Sequence, residues 1–295
     1  MAKRRFNPGL RRANAPIIDL AGFLANDKAA TAATVELLRA ACTDHGFFQV
    51  TNHGVDEAVI QAAHDEIDAL FNLPTNEKLR LRRQNGSVWG YSGAHADRFA
   101  KKLPWKETYS FKFYHASGPE EKIVVDYFDT VLGKEFIKTG LVYQIYCEQM
   151  NKLAMALFEL VEVSLGVEAE QYYRKLFEEG SSIMRSNFYP KCEQPELVLG
   201  TGPHADPTAI TILHQDQVGG LQVFSDNKWK SVGPCLNALV INLVLRAPEK
   251  IVEADGGIRK YPDFKGADLY DFTQNHHRVD GATLDNFRWL RALCC

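Results

Sequence analysis

The residues best able to do chemistry lie in one stretch, Leu199-Gly-Thr-Gly-Pro-His-Ala-Asp-Pro-Thr-Ala-Ile-Thr-Ile-Leu-His-Gln-Asp-Gln-Val-Gly-Gly-Leu221. It reads as a turn, a strand, a turn and a second strand. His204 and Asp206 stand two apart in it. On an extended segment, side chains at i and i+2 project the same way, so an imidazole and a carboxylate there can share one ion. The pair supplies two of the three donors of a 2-His-1-carboxylate facial triad, the arrangement that leaves coordination positions open on non-haem Fe(II). Pro203 and Pro207 restrict the backbone on either side. The triplet His-x-Asp is weak by itself, because it recurs as His95-Ala-Asp97 and His214-Gln-Asp216. The first sits in a Gly-rich stretch without a partner pattern. The second is expected to hydrogen-bond around a turn.

The elements that must position this pair follow from periodicity. Ala15-Pro-Ile-Ile-Asp-Leu20 and Phe47-Phe-Gln-Val50 fit strands. Val35, Leu38 and Cys42 recur at helical spacing before the stop signal Gly46, and Val59, Ala63, Ile67 and Leu70 mark a second helix ended by Pro74. Residues 85–115 read as irregular and Gly-rich at first. Residues 124–165 are helical, with Leu141, Ile145, Met150, Leu153, Leu157 and Val161 as a core stripe. Beyond Gly180 the period changes to two. Strands are expected at Ile183–Tyr189, Thr208–Leu213, Leu221–Phe224, Lys228–Val232 and Ala238–Leu245. Short, evenly spaced strands predict a sandwich or jelly roll. The tail Asp268–Leu293 reads as helix.

Composition excludes several classes. The chain has 295 residues, 45% hydrophobic and 24% charged, which is ordinary for a soluble globular protein. A net charge of −3 gives no broad attraction to nucleic acid. The six cysteines are scattered without a Cys-x-x-Cys pair, so neither a zinc ribbon nor a disulfide framework is expected. No apolar run reaches the roughly 18 residues of a membrane span. Lys3, Arg4, Arg5, Arg11 and Arg12 make a basic start without an apolar run behind it, read as a disordered tail. A cytoplasmic monomer acting on a small molecule is the expectation.

The surroundings of His204 and Asp206 resemble the plant 2-oxoglutarate- and Fe(II)-dependent dioxygenases, and within them the gibberellin 20-oxidase branch. Gly46-Phe-Phe-Gln-Val-Thr-Asn-His-Gly54 is similar to the family's N-terminal signature, and Leu103-Pro-Trp-Lys-Glu-Thr108 to a segment of the gibberellin-oxidising branch. Asn187-Phe-Tyr-Pro190, Leu199–Phe224, Tyr261-Pro-Asp-Phe264 and Phe272-Thr-Gln-Asn-His276 resemble further family elements. The resemblance implies an α+β fold with a double-stranded β-helix (jelly roll) core. It implies Fe(II) held by His204 and Asp206, and 2-oxoglutarate bound by Tyr189 with Asn187 beside it. It also implies O2 as co-substrate and a gibberellin precursor oxidised at carbon 20, lying against apolar side chains with Trp105 and Lys106 near it.

The pattern then breaks. After the strand matching Asn237–Asn242 the family continues into strands that carry a second histidine ligand and an Arg-x-Ser clamp for 2-oxoglutarate. Here Asn242 runs directly into Leu243-Val-Leu-Arg-Ala-Pro-Glu-Lys-Ile-Val252, similar to the family's stretch beyond that clamp. A few dozen residues are absent, so the jelly roll is expected to be incomplete and turnover weak or lost. His276 and His277 are poor replacements, and Arg246 has Pro248, not a serine, two residues on. Ala238–Leu245 is left without an obvious partner strand. The expected divisions are a basic tail at 1–14, an N-terminal dioxygenase region at 15–115, helical support at 116–180, a partial jelly roll at 181–245 and a tail with helix at 246–295. The rival readings are a non-enzymatic truncated product with a partial metal site, and another plant 2-oxoglutarate dioxygenase such as a flavonoid oxidase.

Overall fold

The computed structural model describes residues 11–14, 16–84, 87, 89–93, 105–114, 122–178, 180–195, 197–204, 206, 208–225, 228–254 and 256–257. In chain order the elements are β1 (Ile17–Asp19), α1 (Ala21–Leu24), α2 (Lys28–Asp44), β2 (Phe47–Thr51), α3 (Glu57–Phe71), α4 (Thr75–Arg80), β3 (Gly90–Ser92) and β4 (Glu107–Tyr114). There follow α5 (Ile123–Tyr127), α6 (Ile137–Leu165), α7 (Tyr172–Phe177), β5 (Ser181–Phe188), β6 (Ile210–Leu213), β7 (Gln222–Ser225), β8 (Lys228–Ser231), β9 (Leu239–Leu243) and α8 (Glu249–Ala254). The described residues fall into two compact units. One takes those of 11–55, 152–174 and 206–257; the other takes those of 56–151 and 175–205.

The first unit holds a four-stranded sheet in the order β1-β2-β9-β6. β1 runs parallel to β2, whereas β9 is antiparallel to both its neighbours, with Val240 opposite Gln49 on one side and Leu213 on the other. This corrects the expectation that Ala238–Leu245 lacks a partner. The upstream strand β2 supplies one neighbour and β6 the other, so Leu239, Val240 and Ile241 are buried. α2 packs against β1 and β2. It starts where the Asp27 carboxylate accepts from the Ala29 and Ala30 amides, and it buries Thr34, Val35, Leu38 and Ala41. Cys42, expected on that face, is exposed. β7 and β8 form a hairpin. Arg11–Ala13 runs beside β8, with the Ser231 amide donating to the Arg11 carbonyl at 3.0 Å and the Ala13 amide to the Ser231 carbonyl at 2.8 Å. The disordered-tail expectation therefore fails for these three residues.

The second unit holds the sheet β3-β4-β5. Residues 85–115, read as irregular, contribute two of its strands. Thr108, Tyr109, Phe111, Phe113 and Tyr114 are strong strand formers, and the glycines before them hid the pattern. β4 pairs with β5 along eight positions, from Glu107 opposite Phe188 to Tyr114 opposite Ser181. Gly90 opens β3 at φ +104°, where a Cβ would stand 2.8 Å from the Leu81 carbonyl oxygen, so only glycine fits.

An aromatic core backs that sheet. The Phe111 ring meets Phe128 at 5.3 Å and Tyr143 at 5.4 Å, both edge to face. The Tyr143 hydroxyl donates to the Ala63 carbonyl at 2.9 Å. These aromatic partners rotate the stripe read for α6. Leu141 and Ile145 are 41% and 47% exposed, and Tyr143, Tyr146 and Cys147 point inward instead. Leu153, Leu157 and Val161 are buried as expected.

Gly140 marks the closest helix approach. A Cβ there would lie 3.0 Å from both Phe128 Cβ and Val125 Cα. Alanine ordinarily gains about 1 kcal/mol over glycine inside a helix. Forcing atoms into a filled site costs about 1–3 kcal/mol, so Gly140→Ala should lower the chemical-denaturation midpoint. A higher midpoint would show that the helix has room to spare.

Candidate functional site

His204 and Asp206 lie in coil that leads into β6, not on the extended strand their spacing suggested. Asp206 belongs to the first unit. Its Oδ2 accepts from the Asn242 Nδ2 at 3.2 Å. Asn242 stands near the end of β9 between Phe47 and Thr211. The Val244 amide donates to the Ala209 carbonyl at 2.9 Å, and the Thr208 and Thr211 hydroxyls are 3.0 Å apart, so the segment after Asp206 is tied to β6 and β9. Sequence reasoning saw Asn242 only as the last residue before the break. Its signal was a polar side chain closing an apolar run.

His204 belongs to the second unit. Its Nδ1 lies 2.9 Å from the Gly202 carbonyl oxygen. A carbonyl only accepts, so the proton in this contact sits on Nδ1. Metal-binding imidazoles are commonly oriented by such a bond, and ligating carboxylates by a donor like the Asn242 amide. Among the described residues no three His, Cys, Asp or Glu side chains gather in a way that could hold a metal ion. His276 and His277 lie outside the described residues. Arg246 is engaged elsewhere, with its guanidinium 3.3 Å from the Tyr172 hydroxyl and 3.4 Å from Glu249, while its carbonyl accepts from the Tyr173 hydroxyl at 2.8 Å. An imidazole and a carboxylate are donor types that suit non-haem iron, but no complete ligand set is present among the described residues.

Asn187, on β5, and Tyr189, just past its end, share one side of the chain. Asn187 is opposite Thr108. Tyr189 is 44% exposed, so it is no buried tyrosine sealed by packing. Its ring lies 3.0 Å from where a Cβ on Gly200 would be, so the glycine lets the 199–204 segment close on the ring. Trp105 ties down the same region. Its Nε1 donates to the Pro190 carbonyl at 3.0 Å and its amide to the Leu199 carbonyl at 2.7 Å. The Lys106 Nζ lies 3.4 Å from Asn187 Oδ1. Burial, with the Arg185 charge adding to it, holds the Lys106 ammonium down at about 8. Arg185 escaped the sequence reading, although it precedes Asn187 and Tyr189 at the strand period.

The two other His-x-Asp triplets do not contribute. Asp216 Oδ1 accepts from the Val218 and Gly219 amides at 2.9 and 3.3 Å, the turn expected of it. His95 and Asp97 lie outside the described residues.

Comparison with known proteins identifies the family. Residues 15–127 match the family pattern described as the N-terminal region of non-haem dioxygenases of morphine synthesis, and residues 180–245 match the 2OG-Fe(II) oxygenase superfamily. Gibberellin 20 oxidase 3 of Arabidopsis thaliana is 43% identical over 94% of this chain and 83% of its own length. Gibberellin 20 oxidase 2 of Oryza sativa subsp. indica is 44% identical over 93% and 79%. The Arabidopsis alignment runs over 322 positions, and 94% of 295 residues is about 277, so about 45 aligned positions have no counterpart here. Among solved structures, JOX2 in complex with 2OG, Fe and JA is 30% identical, with a TM-score of 0.63 over 81% of this chain and 67% of that one. The rice dioxygenase for auxin oxidation, 21% identical, shares the fold with a TM-score of 0.68 over 92% and 99%. This chain, α+β with the jelly-roll fold of its structural neighbours, belongs to the 2-oxoglutarate- and Fe(II)-dependent oxygenases, whose reactions draw on Fe(II), 2-oxoglutarate and O2, and it resembles gibberellin 20 oxidase.

Proposed function

We propose that this chain is a gibberellin-20-oxidase-type oxygenase with an impaired iron centre, its substrate class being a gibberellin precursor. The substrate class comes from the names of its relatives. The impairment is supported by one observation: about 45 aligned positions of a relative have no counterpart here. His204 Nε2 and a carboxylate oxygen of Asp206 would hold Fe(II), while Asn187 and Tyr189 would bind 2-oxoglutarate. In a complete centre the iron couples decarboxylation of that acid to oxidation of an unactivated carbon. The protein's own share is orientation of the ligands and exclusion of water. The non-enzymatic rival differs only in assigning no residual turnover. The flavonoid-oxidase rival has less support, since the relatives named above are gibberellin oxidases.

The reading extends to a monomer in a reducing compartment. Cys42, Cys147, Cys192 and Cys235 are free thiols, and among the described residues no helix is long and apolar enough to cross a membrane.

Anaerobic Fe(II) titration joined to a succinate-release assay tests the proposal. Weak iron binding, abolished by His204→Ala or Asp206→Ala, and slow succinate release are expected. Stoichiometric tight binding with turnover at the rate of the rice relative would refute the impairment. Asn242→Ala should loosen iron by about 10-fold through the untethered Asp206 carboxylate. Unchanged affinity in that variant would show that the Asn242 amide does not orient a ligand.

A further inference from the structure

The solvent side of α6 carries a pattern that neither the packing of the fold nor the oxygenase reading uses. From Ile137 to Lys152 the exposed residues are Lys138, Leu141, Ile145, Glu148 and Lys152, and those between them are buried or half-buried. Alternate steps of three and four residues keep the five on one stripe of the helix. A lone exposed leucine needs no explanation. Here Leu141 and Ile145 are neighbours in the stripe, with the cation Lys138 before them and the anion Glu148 after them. Thr139, Tyr143, Tyr146 and Cys147 are buried and seat the helix on its other side.

The order cation, apolar, apolar, anion is its own complement when read backwards. In two copies of α6 laid antiparallel about a two-fold axis level with Tyr143, positions equally far before and after Tyr143 come level. Leu141 of one copy then meets Ile145 of the other, and Lys138 meets Glu148. Each contact occurs twice, as a two-fold interface requires. We propose that this stripe is a docking surface for a second copy of the chain, joined through antiparallel α6 helices. A parallel pair is disfavoured, because it sets Lys138 against Lys138 and Glu148 against Glu148. Within one copy the Lys138 ammonium is 2.6 Å from Glu66 Oε1, and the Gln144 amide donates to Glu148 Oε1 at 2.8 Å. An ammonium has three donors and a carboxylate several acceptor positions, so both heads keep capacity for a partner. Further along, Lys152 comes level with Lys134, a like pair that bounds the contact.

The contact is short. Its few residues fall well below the about 20–30 residues a side of a standard interface, so the dimer is weak, with a Kd on the order of 100 μM. The chain is accordingly a monomer at the dilution of an assay, as read above, and pairs when concentrated. The inference does not rest on the oxygenase reading.

Sedimentation equilibrium of the full chain, from about 10 μM to about 500 μM, tests this. Reversible monomer–dimer behaviour is expected, weakened at least about 10-fold when Leu141→Ala and Ile145→Ala are combined. Both side chains face water, so that variant should melt within about 2 °C of the parent. Lys138→Glu leaves an acid at both ends of the stripe, and Glu148→Lys leaves a base at both ends. Either chain alone should stay monomeric, since like charges then meet across the two-fold axis. An equimolar mixture of the two should pair at least as well as the parent, because every acid again faces a base, and added salt should weaken it. Glu148→Lys and the alanine pair keep the test decisive should Lys138→Glu, which also loses Glu66, fold poorly. A parent chain that stays monomeric at about 500 μM overturns the proposal and leaves the stripe to a protein of another kind. Self-association that ignores Glu148→Lys and the alanine pair also overturns it, because the copies then meet on another face. So does a mixture of folded charge variants that fails to pair.

Discussion

If the missing segment falls between Asn242 and Leu243, as the resemblance implies, inserting it there from the rice relative should raise 2-oxoglutarate turnover at least 100-fold. Disturbing a group that merely orients a metal ligand costs about 10–100-fold in affinity or activity. Here a whole imidazole and the guanidinium clamp are missing by resemblance, and the two losses multiply. The fold gives the segment somewhere to go. β6 has β9 on one side and no strand on the other among the described residues. β5 likewise pairs only with β4, and its outward residues Ile183 and Arg185 are exposed. New strands would find open edges and apolar surface.

Two variants of the restored chain divide the effect. Changing the segment's histidine to alanine should keep the gain in thermal stability and lose the gain in turnover. Changing its arginine should raise the 2-oxoglutarate KM most. A restored chain no faster than the parent, measured by succinate release, would mean that the present chain already has a working centre built from residues outside those described.

How far the sequence disclosed this can be judged from particular residues. Phe47–Val50, the α3 face at Ala63, Ile67 and Leu70, and all five strands read beyond Gly180 correspond to real elements, because period and composition agree there. β4 was missed because glycines and a proline precede it, and local punctuation outweighed a good alternating strand. The inward face of α6 was misplaced near Leu141 and Ile145, since helical period fixes spacing but not which residues find partners. Phe111 and Phe128, far apart in sequence, decided that. The partner of β9 could not be read at all, because it is β2, about 190 residues upstream. His204 and Asp206 were visible as a triplet, but their hydrogen-bond partners were not. Asn242 reaches Asp206 from 36 residues away in sequence, and Gly202 acts through a backbone carbonyl that no side-chain pattern reveals.

Glu107→Ala should be the most destabilising single change in the second unit, costing about 3–5 kcal/mol. The Lys78 ammonium is 2.7 Å from Glu107 Oε2 and 2.9 Å from the Phe71 carbonyl oxygen, and it lies 5.6 Å from the centre of the Tyr91 ring. The Tyr91 hydroxyl donates to the same carboxylate oxygen at 2.8 Å. Burial first, and Glu107 second, push that phenol above its ordinary range. The two charged side chains are only 10% and 18% exposed, so removing the carboxylate strands an ammonium with little water to turn to. The midpoint of thermal unfolding should fall by on the order of 10 °C. Lys78→Met combined with Glu107→Leu should lose far less than the sum of the single changes, because a buried pair replaced by apolar groups is often near neutral. Side chains alternate along β4, so Glu107 anchored behind the sheet fixes where Lys106 emerges in front. A melting point within a degree or two of the parent would show that this ion pair does not hold the strand.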